Sequence, residues 1–263
     1  MNDSIFLFGI RIDRINRKFA VEKISGWLHA EEKLCKYVVT PNVDHIVRLD
    51  TSKEFKNTYE HASLVLADGR PLVLASRLLG SPLPETVPGS DLVPLLFAHI
   101  AQTWNRPVRV FLLGAGPGVA ERAMNRIQQT WSNVKIVGVY SPPFNFERHE
   151  KECIEICDRI SHTDTELLVI GLGSPKQELW IEKYASFLPI KVALCVGATI
   201  DFLAGEKKRA PKWVQSIGLE WLHRMLSEPK RLVRRYAKDA FIFPQLFFRE
   251  WKLNRKSSNI AKF

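Results

Sequence analysis

Two hydrophobic periods alternate through the first 200 residues of this chain. Short, nearly continuous apolar runs predict strands at Tyr37–Thr40, Ser63–Ala67, Val108–Leu113, Val134–Val139, Leu167–Ile170 and Val192–Val196. Between them, apolar residues three and four apart predict helices at Asp91–Thr103, Val119–Trp131, Glu147–Ser161 and Pro175–Phe187. Apolar strands separated by helices indicate a parallel sheet covered on both faces. The expected fold class is α/β: a Rossmann-like, doubly wound, mainly parallel sheet.

After Gly205 the pattern changes. From Pro211 onward it reads as helix, with Trp221, Leu222, Met225, Leu226, Leu232, Val233 and Tyr236 at helical spacing among arginines and lysines. Pro229 and Pro244 are expected to start or kink helices. The expected organisation is a Rossmann-like core over residues 1–205 and a C-terminal basic helical appendage over 206–263.

Charge sharpens that division. Residues 1–205 carry 23 Lys and Arg against 23 Asp and Glu, whereas residues 206–263 carry 15 against 5, the whole net charge of +10. A neutral body with a cationic end suggests local contact with phosphates, a lipid headgroup or RNA, not a nucleic-acid surface spread over the fold. The four cysteines form no paired zinc pattern and suit a reducing cytoplasm. The start of the chain does not read as a signal peptide. The charge-free run Ala240–Phe248 is nine residues, too short for a bilayer core of about 30 Å. The chain is expected to lie on a membrane without crossing it.

In open parallel sheets ligands bind beyond the carboxyl ends of the strands. Here those ends read Thr40-Pro41-Asn42-Val43-Asp44-His45, Asp68-Gly69-Arg70, Gly114-Ala115-Gly116-Pro117-Gly118, Gly171 to Glu178, and Gly197-Ala198-Thr199-Ile200-Asp201. Small residues let backbone amides approach a ligand, and helix N-termini favour anions. Gly114, Gly173 and Lys176 are candidate substrate contacts on this ground. The glycine turn is half of a dinucleotide fingerprint: the full spacing needs glycine where Val119 stands, and no carboxylate ends the next strand. Asp68, at a strand tip, is either a partly desolvated general base or the N-cap of the next helix. Asp44 and Asp91 pose the same choice, Asp91 looking more like a helix-start residue.

Several strings taken in order resemble the WecG/TagA/CpsF family, glycosyltransferase family 26: Thr40-Pro41-Asn42, Ala67-Asp68-Gly69, Pro88-Gly89-Ser90-Asp91-Leu92, Gly171 to Glu178, Gly197 to Gly205, Arg209-Ala210-Pro211 through Gly218-Leu219-Glu220-Trp221, and Glu228-Pro229-Lys230-Arg231-Leu232. The likeness runs from about Phe6 to Trp251. It implies an inverting transferase moving N-acetylmannosamine, its uronic acid or another hexose from a UDP-sugar to a polyprenyl-diphosphate-linked sugar. By the same resemblance Asp68 is the catalytic base, Thr40 and Asn42 line the pocket, and Gln177 and Asp201 contact the nucleotide-sugar. Arg224, Arg231 and Arg234 of the appendage would meet phosphates as it closes over the site and touches the anionic inner face of the cytoplasmic membrane. Many relatives carry an arginine where this chain has Thr86, so its role would fall to Arg70, Lys176 or a tail arginine. No cofactor is expected, and the absence of an Asp-x-Asp motif predicts metal-independent transfer. The alternatives weighed are a nucleic-acid-binding protein using the basic tail and a nicotinamide-dependent oxidoreductase.

Overall fold

The computed structural model describes residues 3–211, 213–214 and 218–260. The chain opens with an antiparallel hairpin, β1 (Ser4–Leu7) and β2 (Ile10–Asp13), followed by helix α1 (Arg17–His29). Next come β3 (Lys36–Val39), α2 (Val43–Leu49), α3 (Lys53–Glu60), β4 (Leu64–Val65), α4 (Arg70–Leu78) and α5 (Gly89–Thr103). The second half alternates strictly: β5 (Val108–Gly114), α6 (Val119–Thr130), β6 (Val134–Tyr140), α7 (Glu150–Ser161), β7 (Leu167–Gly171), α8 (Lys176–Tyr184), β8 (Val192–Cys195) and α9 (Thr199–Ala204). Two further helices follow, α10 (Glu220–Ser227) and α11 (Pro229–Ile260).

Six strands form one parallel sheet in the order β4-β3-β8-β7-β5-β6. This is the α/β architecture that the apolar runs predict. Alternation along β5 shows how both faces are covered: Val108, Val110 and Leu112 join the core under α1, α5, α6 and α9, while Phe111 and Leu113 join the core under α2, α3, α4, α7 and α8. Cys153 and Cys157 lie buried in that second core as free thiols.

Differences from the sequence reading fall at the sheet's edge and in the tail. The fourth strand is two residues long instead of spanning Ser63–Ala67. It is an edge strand, and the outward-facing amide of Val65 donates to the Asp13 carboxylate of the hairpin (2.8 Å) instead of to another strand. That hairpin lacked a signal strong enough to predict. Pro229 starts α11, as its missing N–H allows, but Pro244 sits inside α11. The helix expected from Pro211 passes through positions 212 and 215–217, outside the described residues.

Two strands leave the sheet in opposite senses. From β5 the chain turns to α6 on one face and on to β6; from β7 it turns to α8 on the other face and on to β8. Their loops therefore part at the carboxyl rim, making the crevice where doubly wound sheets take ligands. The start of α5 is pinned to the same rim, since a Cβ on Gly89 would lie 2.6 Å from Val196 Cβ and 2.9 Å from its Cα. Gly89→Ala is expected to cost about 1–3 kcal/mol through overpacking. Gly26→Ala, on an exposed stretch of α1 with nothing within 4 Å of the new methyl, is expected to gain about 0.5–1 kcal/mol. Urea denaturation of both variants checks the pair.

Candidate active site

Six loops line the carboxyl rim in strand order, and the right-hand end is built around Asp68. Asp68 N donates to Pro41 O (2.8 Å), and Val87 N donates to Ala67 O (2.8 Å), so the loops after β3 and β4 and the segment entering α5 are stitched together. Thr40 is buried, with Oγ1 donating to Cys195 O (3.2 Å) at the end of β8. The structure thus brings Thr40 and Asp68 to adjoining strand ends.

The capping alternative for Asp68 does not hold. Helix α4 begins after Gly69, whose φ of 101° suits glycine, and no side chain caps it. The half-buried carboxyl makes no hydrogen bond or ion pair among the described residues. Burial raises its pKa to about 6, Arg224 and Arg209 drawing it down and Glu220 and Asp91 pushing it up. Two of those four residues belong to α10, which places the appendage within electrostatic reach of Asp68. Asp44 and Asp91 are structural by contrast. Asp44 is buried against Arg48 (2.9 Å) and Arg235 (3.2 Å), and Asp91 in the first turn of α5 pairs with Arg17 (3.5 Å) and Arg209.

Other candidates are positioned by contacts that the sequence could not show. Asn42 caps α2, its Oδ1 accepting from Asp44 N (3.1 Å) and His45 N (3.4 Å). Gln177 is 2% exposed. Its Oε1 accepts from Gly173 N (3.3 Å) and Gly197 N (3.1 Å), and its Nε2 donates to Glu178 Oε1 (2.7 Å). It ties the β7 and β8 loops together. Gly114 also serves the scaffold: a Cβ there would lie 2.6 Å from the Gly171 carbonyl carbon. Gly173, by contrast, faces open space at φ 80°. Lys176 is held by Glu147 (2.9 Å), and Asp201 lies 3.8 Å from Lys207. Arg224 is half-buried and Arg234 exposed, while the Arg231 side chain lies outside the described part of the chain.

The cation beside Thr86 is none of those expected. Arg17 Nε donates to Thr86 O (2.9 Å) and its Nη2 reaches Thr86 Oγ1 (3.5 Å). Arg17 also lines, with Asp91, Thr199, Lys207 and Arg209, a cleft of about 510 Å³ between α5 and α9. Arg17 is separated by 69 residues from Thr86, and no local pattern announces such a pairing.

The basic tail is seated on the core. Leu232 and Leu246 are buried, Phe243, Phe247 and Trp251 pack against the α2 side of the core, and Phe243 meets Phe8 at 5.4 Å between ring centroids. Packing against the core keeps these three aromatics from the outer face of the helix. Phe241 and Phe248 remain outside, 74% and 58% exposed.

A raised carboxyl pKa has a sign for stability. The protonated form of Asp68 is favoured by folding, so its contribution is complete below the unfolded value of about 4 and disappears as pH rises through about 6. Asparagine escapes that loss. Asp68→Asn is expected to melt about 2–4 °C above the parent at pH 8 and level with it near pH 4, a difference read by calorimetry.

Comparison with known proteins identifies the family. The sequence model of the glycosyl transferase WecG/TagA/CpsF family matches residues 5–257. An N-acetylglucosaminyldiphosphoundecaprenol N-acetyl-beta-D-mannosaminyltransferase of Staphylococcus aureus strain MRSA252 is 29% identical over 243 residues, covering 90% of each chain. A protein of the same name from Bacillus spizizenii strain W23 is 30% identical over 206 residues, covering 78% of this chain and 77% of its own. With a nearly full-length match and a rim that seats the family's strings on adjoining loops, the chain is a glycosyltransferase and belongs to the WecG/TagA/CpsF family.

Proposed function

We propose that this enzyme transfers a hexose, N-acetylmannosamine or a relative of it, from a UDP-sugar to a sugar on a polyprenyl diphosphate. The names of the two relatives specify a sugar on diphosphoundecaprenol as acceptor, which supports the acceptor class. The observation that carries the mechanism is the half-buried carboxyl of Asp68, whose backbone is bonded to the loop after β3 (Asp68 N to Pro41 O, 2.8 Å) and whose pKa burial raises to about 6 within the electrostatic influence of Arg224 and Arg209.

The step is one displacement. An acceptor hydroxyl oxygen attacks the anomeric carbon, the bond from that carbon to the UDP oxygen breaks with its electron pair leaving on UDP, and Asp68 takes the hydroxyl proton. Configuration at the anomeric carbon inverts. A base with a pKa near 6 is ionised at neutral pH yet remains stronger than an ordinary aspartate. Charge growing on the diphosphate needs cations, and Arg224 of the appendage, which lowers the pKa of Asp68 electrostatically, is one candidate. Lys176, at the start of α8, is the candidate on the β7 side.

Asp68→Asn is expected to lose about 10²–10⁴-fold in rate with its fold intact by circular dichroism; full activity would remove the base. For the parent, log kcat/KM is expected to rise with unit slope up to about pH 6 and then level off. Addition of EDTA is expected to leave UDP release unchanged; loss of activity restored by a divalent ion would contradict transfer driven by arginines alone.

The appendage supports a place at the membrane surface. No helix among the described residues is long and apolar enough to cross a bilayer. The outer stripe of α11 carries Arg234, Lys238, Phe241, Gln245, Phe248 and Lys252, all exposed and spaced four, three, four, three and four apart. Cations and two phenylalanines on one face suit an anionic leaflet, the side from which a lipid-linked acceptor is presented. Replacing Phe241 and Phe248 together by serine is expected to reduce partitioning onto phosphatidylglycerol vesicles by about tenfold or more without lowering the melting temperature. Unchanged partitioning would remove these two side chains from the membrane reading.

A further inference from the structure

The loop after β6 brings an aromatic ring to the crevice between β5 and β7. Ser141 Oγ is shared between Gly114 O (3.2 Å) and Gly116 O (3.3 Å), so the loop leans over the glycine turn that ends β5. Phe146 is buried in the core and anchors it. Two residues earlier, Phe144 is 87% exposed. One exposed aromatic means little by itself; what distinguishes Phe144 is its company. Lys176 Nζ, from the first residue after the β7 loop, lies 4.8 Å from the centroid of the Phe144 ring. The same ammonium is 2.9 Å from Glu147 Oε1, which keeps it at this position. An anchored ring with a wet face, a restrained cation and a glycine turn therefore meet at the point where the two chain directions diverge.

We infer that Phe144 is the platform on which the uracil ring of the donor stacks, with Lys176 holding the phosphate next to the nucleoside and Glu147 positioning Lys176. This rests on the UDP-sugar reading above and extends it to a side chain outside the matching strings. The chemistry fits each part. A planar base gains by stacking on an aromatic face without needing a sequence of hydrogen bonds, and an ammonium is a point-charge partner for phosphate. The placement also gives the donor a direction. The uracil lies toward β5 and β6, the diphosphate crosses the β7 and β8 loops that Gln177 joins, and the anomeric carbon faces Asp68 at the opposite end of the rim. Phe144 follows β6, five strand intervals from β4, but its ring reaches Lys176 at the β7 loop, three intervals from β4 or about 14 Å at the usual spacing between strands. The loops lean inward over that span, as the bonds from Ser141 to the β5 turn show.

Isothermal titration of the full chain with UDP and with inorganic diphosphate tests the platform. Phe144→Ala is expected to weaken UDP by about five- to a hundredfold, the range of base–aromatic stacking, and to leave inorganic diphosphate within about twofold. Phe144→Trp is expected to keep UDP affinity. Lys176→Gln is expected to weaken both ligands. Unchanged UDP affinity in Phe144→Ala overturns the platform while the donor reading stands, and this includes the case in which the same variant loses vesicle binding instead. Equal weakening of UDP and diphosphate also overturns it, since the ring would then be shaping the loop. A parent chain that binds no UDP overturns the donor reading and the platform with it.

Discussion

Backbone meets backbone at the carboxyl rim, and the catalytic half of the molecule rests on that contact. A Cβ on Gly114 would strike the Gly171 carbonyl group, and a Cβ on Gly171 would come within 2.9 Å of Gly197 O. Three neighbouring strands thus end in glycines packed edge to edge, closer than any side chain would permit. Gln177 then fastens the second and third of these ends through one carbonyl oxygen. The rim is rigid because it is crowded, and the groups with chemistry to perform stand on loops issuing from a fixed line.

Much of this was legible without coordinates, for a physical reason. Parallel strands buried on both faces must be apolar almost without interruption, so Val108–Leu113, Leu167–Ile170 and Val192–Val196 announce themselves. Where such a run stops, the polar residues that follow are at the rim by construction, and that placed Asp68 and Thr40. The same logic does not distinguish a ligand contact from a scaffold contact. Gly114, Asn42 and Gln177 all sit where ligand contacts were expected, yet each makes a bond or a close approach that holds neighbouring backbone. Telling the two apart requires knowing what lies opposite, which is a property of the fold and not of the local string. The pairings of Arg17 and Arg209 were missed for the same reason. Their common partner, Asp91, is distant in sequence from both, and long-range ion pairs leave no periodic trace.

The appendage shows how one composition serves two faces. Its apolar residues follow one helical period in the sequence, but the helix sorts them by angle. Leu232, Ile242, Leu246 and the Arg235–Asp239 pair look inward toward α2, while Phe241 and Phe248 look out. Arg235 answers Asp44, and Arg249 answers Asp50 at 2.5 Å. Part of the formal charge surplus in the tail is therefore neutralised against the core, and the field at the outer stripe comes from those cations that face away.

One consequence follows from the buried carboxyls. Besides Asp68, burial raises Glu178 to about 7 and Asp239 to about 6. Glu147, Asp164 and Glu166 are shifted the other way, so they titrate in a lower range. Between roughly pH 5 and 7 the three raised carboxyls bind protons on folding, outweighing the one that buried His45, pushed down to about 3, gives up. The chain's collapse from the unfolded state takes up hydrogen ions from the medium, and the heat of folding must include the ionisation heat of whatever buffer supplies them.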